Sequence, residues 1–287
     1  MIVAPFMFSK IKIIKFIFKK RLKRFIPFFS DLFSNFPASP SILGLKINKK
    51  STLGLKNDVV YLPFDKTLTW WVISEGSFKH FILDYVRKIN EDIIFIDIGA
   101  NVGLISRQIS NIVKKKVSIH CFEPDRLNYK CLSLNVGEIA NCYNFGLSDK
   151  SEKRNLYKFK GNHGHSTFLV NSSFDTQEEC DLKDINTELG KIIKDSKISK
   201  KKVVIKMDTE GYDLFLISIL NEEILEKIDL LCFEYSNLDI KEFNKQKLQN
   251  NLNKFNKISS DNGISYTNTQ ISDTSIKGQI DIVLEKY

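Results

Sequence analysis

Apolar positions along this chain change their period several times. Met7, Ile11, Ile14, Phe18, Leu22 and Phe25 recur every three or four residues, which predicts a helix with one apolar side. Lys12, Lys15, Lys19 and Lys23 gather on its flank, and Pro27 ends it. A proline- and serine-rich linker, SNFPASPS, follows. ILGLKI, TLGLK and VVYL then read as short strands with polar turns, and residues 65–90 as helical, with Phe78, Ile82, Tyr85, Val86 and Ile89 on one face.

From Ile93 strand-like and helical runs alternate. IIFID precedes a helix over 102–113, VSIHCFE a helix over 126–135, and NCYNFGL follows as a strand. KVVIKMD precedes a helix over 212–220, and IDLLCFEY a helix over 240–257. ISYT and QIDIVLEKY close the chain as a hairpin carrying an antiparallel strand. The prediction is an α/β fold with a mostly parallel central sheet and helices on both faces. Strands without strict alternation fit burial on both sides. Residues 150–202 interrupt the rhythm as an insertion, with a hairpin (RNLYKFK, STFLV) and a charged helical stretch. Three parts are expected: a basic segment over 1–36, an extension over 37–90, and the α/β domain over 91–287.

Charge refines this division. The net charge is +9, but eight basic residues, Lys10 to Arg24, precede the first acid, Asp31. The rest carries 35 basic and 34 acidic residues, so the globular part lacks the basic face of a nucleic-acid-binding body. The basic amphipathic stretch over residues 6–26 suits the surface of an anionic membrane. No uncharged apolar run reaches the length of a spanning helix, and no cleavable signal pattern is visible. The five cysteines form no CxxC pair, and Cys121, Cys142 and Cys232 sit in apolar runs. A reducing cytoplasmic location is expected, peripheral at the inner face of a membrane.

The chemistry concentrates at strand ends. FIDIGANVG ends a buried strand on Asp97 and turns through Gly99 and Gly103. Ligands of open α/β sheets bind outside such ends. The glycines follow GxxxG rather than the GxGxxG of a dinucleotide loop, and no P-loop motif occurs. Glu123, 20 residues after Gly103 at the end of the next strand, is placed to accept ribose hydroxyls. Ribose, adenine and a positive centre without phosphate describe S-adenosylmethionine, whose charges tolerate the neighbouring Asp97.

DIGANVG, FEPD, GLSD, IKMDTEGYD and FEY, in this order over residues 93–235, resemble the FkbM family of S-adenosylmethionine-dependent methyltransferases. The resemblance implies a Rossmann-like methyltransferase fold and O-methylation, often of sugars or secondary metabolites. It implies cofactor contacts from Asp97, Gly99, Asn101, Gly103 and Glu123, with Ala100 in the same loop and Leu147 and Ser148 beside the adenine. One departure is Lys79, in GSFKH, where family members often carry an acid.

A hydroxyl acceptor must lose a proton. Asp208 and Glu210 follow the fourth strand at the cofactor edge, and His163 and His165 lie in the insertion within GNHGHSTF. Of these, His165, Asp208 and Glu210 are the candidate catalytic residues. Blander roles compete: Asp208 as a helix cap, the histidines as solvated loop residues. No spacing compels a metal site. The place of a base-methylating [DN]PP[YF] element reads DTEG, against a nucleic-acid substrate. The expected enzyme methylates a hydroxyl of a sugar, glycan or related small molecule. The alternatives are a catalytically inactive binding protein of the same fold and a nicotinamide-dependent oxidoreductase.

Overall fold

The computed structural model describes residues 42–46, 59–63, 80–159, 162–170, 174–194, 196, 199–236 and 241–286. The basic helix, the linker, TLGLK and Lys79 lie outside them. In chain order the elements begin with β1 (Ile42–Lys46), β2 (Val59–Pro63), α1 (Ile82–Val86), β3 (Ile93–Ile98), α2 (Leu104–Ile112), β4 (Val117–Phe122), α3 (Arg126–Val136) and β5 (Ala140–Tyr143). Next come β6 (Gly146–Ser148), β7 (Glu152–Phe159), β8 (Asn162–Thr167), β9 (Thr176–Asp184) and α4 (Ile185–Ile193). The chain continues through β10 (Lys202–Met207), α5 (Asp213–Ile219), α6 (Glu222–Lys227), β11 (Leu230–Ser236), α7 (Lys245–Leu252), β12 (Lys257–Ser260), α8 (Asn268–Ser272) and β13 (Gln279–Glu285).

Seven strands form the central sheet in the order β12-β13-β11-β10-β3-β4-β5. β5, β4, β3, β10 and β11 run parallel, and β13 is antiparallel to both its neighbours. This is the expected mostly parallel α/β sheet with an antiparallel strand near its end. All six residues of β3 are buried. Ile94, Ile96 and Ile98 enter the core on one face, while Ile93 and Phe95 enter the core on the other. Burial on both faces is why the strand reads as a continuous apolar run. Lys206 pairs in register with Asp97, so these two charges leave the sheet side by side.

The strand order reverses between β3 and β10: from β3 the chain proceeds to β4 and β5 on one side, and later to β10 and β11 on the other. A crevice opens where the order reverses, at the carboxyl ends of these strands.

Several elements differ from expectation. NCYNFGL is two strands, because the chain leaves the central sheet after Tyr143 and enters a second, four-stranded sheet ordered β6-β9-β7-β8. The insertion builds that sheet. Its hairpin is present as β7 and β8, but β9, TQEECDLKD, is a strand whose charged residues mask it: only Cys180 and Leu182 of β9 are buried. ISYT is not a strand; the partner of β13 is the earlier KISS, β12. The helix expected over 240–257 shortens to α7, and EEILEK adds α6, capped by the Asn221 side chain.

Polar contacts dock the second sheet onto the first. Lys158 Nζ lies 2.8 Å from the buried Asp125 carboxylate, and Cys180 Sγ lies 3.3 Å from the Pro124 carbonyl. Arg154 donates to the Tyr212 hydroxyl at 2.5 Å, and Thr167 Oγ1 to the Glu210 carbonyl at 2.8 Å.

Candidate active site

The docked sheet roofs the crevice and leaves a cleft of about 650 Å³, open mouth included. Its floor is Ile98, Gly99 and Asn101 from the loop after β3, with Glu123 and Pro124 after β4. Asp208, Thr209 and Glu210 after β10 form one end. Leu147, Leu156, Phe122, Phe168, Tyr212 and Leu216 supply its apolar lining, and Gly164 and Ser166 of β8 line it as well.

The loop after β3 is held by close approach. Gly99 has φ +74°, and a Cβ there would stand 1.9 Å from the Asp208 carbonyl oxygen. Only glycine allows the β3 and β10 ends to meet this closely. Asn101 (φ 50°) and Glu210 (φ 51°) adopt the left-handed region without being glycine, and both line the cleft. Such backbone conformations cluster at functional sites.

Glu123 is 5% exposed. Its Oε2 accepts from Asn101 N–H at 2.8 Å and its Oε1 from Asp125 N–H at 2.9 Å. Two backbone donors fix the carboxylate while each oxygen keeps a second lone pair. Burial, with Asp125 nearby, pushes its pKa up to about 8 against the opposing pull of those donors.

Behind the floor lies an ion cluster. Lys206, 2% exposed, places Nζ 3.3 Å from Asp97 Oδ1, 3.3 Å from Asp208 Oδ2 and 3.1 Å from the Gly99 carbonyl. Burial alone would lower its pKa; Asp208 and Asp97 override it and hold the ammonium above its usual range. Ser106 Oγ donates to Asp97 Oδ2 at 2.7 Å. Asp97 is therefore a buried anchor joining α2, the glycine loop and β10, and it is not on the cleft wall.

The remaining candidates separate clearly. Gly99, Asn101, Glu123 and Leu147 line the cleft; Asp97, Ala100, Gly103 and Ser148 do not. Gly103 instead makes room for α3: a Cβ there would meet Leu132 at 2.7 Å. Ser148 donates to Asp149. Asp208 and Glu210 line the cleft, and His165 stands beside it with Nδ1 2.7 Å from Glu210 Oε2. Burial raises the Glu210 carboxyl, and the His165 hydrogen bond opposes this. Asp208 does not cap α5. Asp213, inside that helix, accepts from Thr209 N–H and Oγ1 at 3.0 and 2.7 Å.

The sequence reading missed Lys206, Ser166, Thr167 and Tyr212. Lys206 had a signal, a lysine inside an otherwise apolar buried strand; the others belong to the insertion or its contacts. Glu234 and Asp281, register partners on β11 and β13, also lie in the field of Asp208. Burial and Asp208 raise them to about 9 and about 6. Among the described residues no group of His, Cys, Asp and Glu is arranged to hold a metal ion, and no helix is long and apolar enough to cross a membrane.

No protein-family model matches the chain, and no curated protein matches it. Solved structures do. A methyltransferase FkbM from Methylobacillus flagellatus KT aligns at 16% identity and TM-score 0.42, over 69% of this chain and 45% of that one, so less than half of that protein's length is spanned. A precorrin-6y C5,15-methyltransferase from Geobacter metallireducens GS-15 aligns at 9% identity and TM-score 0.37, over 72% and 86% of the two chains. TrmK from M. capricolum, solved with S-adenosyl-homocysteine, aligns at 14% identity and TM-score 0.32, over 72% and 69%. The substrates these names convey differ, so no acceptor class is common to them.

Proposed function

We propose that the chain is an S-adenosylmethionine-dependent methyltransferase acting on a hydroxyl of a sugar, glycan or related small molecule. The observation that carries this reading is Glu123: a buried carboxylate on the cleft floor, fixed by two backbone donors, with lone pairs left for a pair of ribose hydroxyls. Leu147, Leu156 and Phe122 offer an apolar slot for an adenine beside it. Asn101 Oδ1 and Ser166 Oγ, both buried without a hydrogen-bond partner among the described residues, fit a ligand with polar groups at the other end. The glycine loop has GxxxG rather than the GxGxxG spacing that seats a diphosphate, which opposes the nicotinamide alternative.

The bound cofactor would supply an activated methyl group. The chain would supply position and a proton acceptor. Asp208, 34% exposed and lining the cleft, would orient the acceptor hydroxyl. The His165–Glu210 pair takes the proton: Glu210 fixes the ring through Nδ1, in the manner of a base held by an orienting acid.

Calorimetric titration with S-adenosylhomocysteine, with NAD as control, tests the cofactor. Micromolar binding of the first and none of the second is expected; the reverse would establish the oxidoreductase alternative. Transfer of labelled methyl to a panel of sugars and glycans tests the acceptor. Glu210→Gln and His165→Ala should slow transfer while leaving S-adenosylhomocysteine binding intact; equal loss of both would remove the base assignment.

A further inference from the structure

β8 crosses the cleft above the glycine loop, and a Cβ at Gly164 would lie 3.6 Å from Asn101 Nδ2. Side chains alternate along a strand, so His165 and Thr167 leave one side of β8 while position 164 and Ser166 face the other. The first pair grips Glu210, His165 by its carboxylate and Thr167 by its carbonyl. The second pair lines the cleft.

Ser166 Oγ is buried and has no hydrogen-bond partner among the described residues. The same holds for Asn101 Oδ1, which belongs to the floor. A buried polar atom left unpaired destabilises the free protein. Two of them lining one cleft are satisfied together by a ligand that brings both a donor and an acceptor. The bonds of His165 and Thr167 to Glu210 tie this part of β8 to the β10 end of the cleft, whereas Leu147 follows β5 and Phe122 ends β4 on the other side of β3.

Building on the cofactor reading above, we infer that Ser166 of the inserted sheet and Asn101 hold the amino-acid end of the cofactor. Asn101 Oδ1 accepts from the α-ammonium, and the Ser166 hydroxyl donates to the α-carboxylate. The inserted sheet thus binds cofactor through one face of β8 and positions Glu210 through the other.

The test compares two ligands by calorimetry on the full chain. S-adenosylhomocysteine has the amino-acid end; 5′-methylthioadenosine has the same nucleoside and sulfur without it. Ser166→Ala should weaken the first roughly ten- to hundredfold, the worth of one hydrogen bond to a charged group, and leave the second unchanged. The melting temperature of the free variant should not fall, because the hydroxyl has no partner to lose. Equal weakening of both ligands, or no change in either, would overturn the inference while the cofactor reading stood. A wild-type chain that bound neither ligand would remove both.

Discussion

The wall of the cleft built by β3, β4 and β10 and the wall built by β7, β8 and β9 obey different rules. β3 is buried along its whole length and β10 along all but its first residue. β9 buries only Cys180 and Leu182, and the outer side of its sheet carries charges such as Lys153 and Glu179. The first wall is fixed by packing on two faces, and Lys206 ties Asp97 to Asp208 within it. The second wall is one layer, docked by polar contacts and by Leu147, Phe168 and Leu169 packing against the core. The difference teaches where the molecule is rigid: the cleft floor cannot shift without disturbing the core, whereas the roof can be altered contact by contact.

Substitutions should therefore scale with the wall they touch. The largest loss is expected from Lys206→Met, which leaves Asp97 and Asp208 facing each other without their cation. Breaking a buried ion pair costs about 3–5 kcal/mol, readable by denaturant unfolding. Combining it with Asp97→Asn should restore part of that loss, and an additive double variant would contradict the cluster. Gly99→Ala comes next, since its Cβ would strike the Asp208 carbonyl at positive φ; about 2–3 kcal/mol and loss of S-adenosylhomocysteine binding are expected. On the roof, Thr167→Val removes one hydrogen bond to Glu210 and should cost about 1 kcal/mol. A loss as large as that of Lys206→Met would mean that the roof is as integral as the floor. Lys153→Ala, in an exposed pair with Glu179, should leave the melting temperature unchanged.

The same contrast explains what could be read in advance. Buried central strands announce themselves as apolar runs, so β3, β4, β10, β11 and the antiparallel β13 were legible with the glycine loop, and so was the strand-end position of Glu123, Asp208 and Glu210. β9 was not, because a strand exposed on one side with charges at most positions has no apolar period to detect. Ser166 and Thr167 were hidden for a related reason: their roles depend on which strand the insertion lays over Asn101 and Glu210, a long-range pairing that local pattern does not encode. Asp97 was legible as important but misplaced. Its partner Lys206 lies 109 positions away and meets it only through the register of β3 with β10.

The central claim, that Glu123 receives the ribose, is tested most directly by measuring S-adenosylhomocysteine affinity against pH in the wild type and in Glu123→Gln. In the free protein Glu123 stays protonated until about pH 8. Hydroxyl donors prefer the ionised carboxylate, so binding below that pH must expel a proton. Wild-type affinity should therefore rise with pH, approaching tenfold per unit below the transition, and level off above it. Glu123→Gln should bind more weakly and without that slope. A wild-type affinity that stays flat between about pH 6 and 9, or a variant that keeps the wild-type profile, would contradict the account.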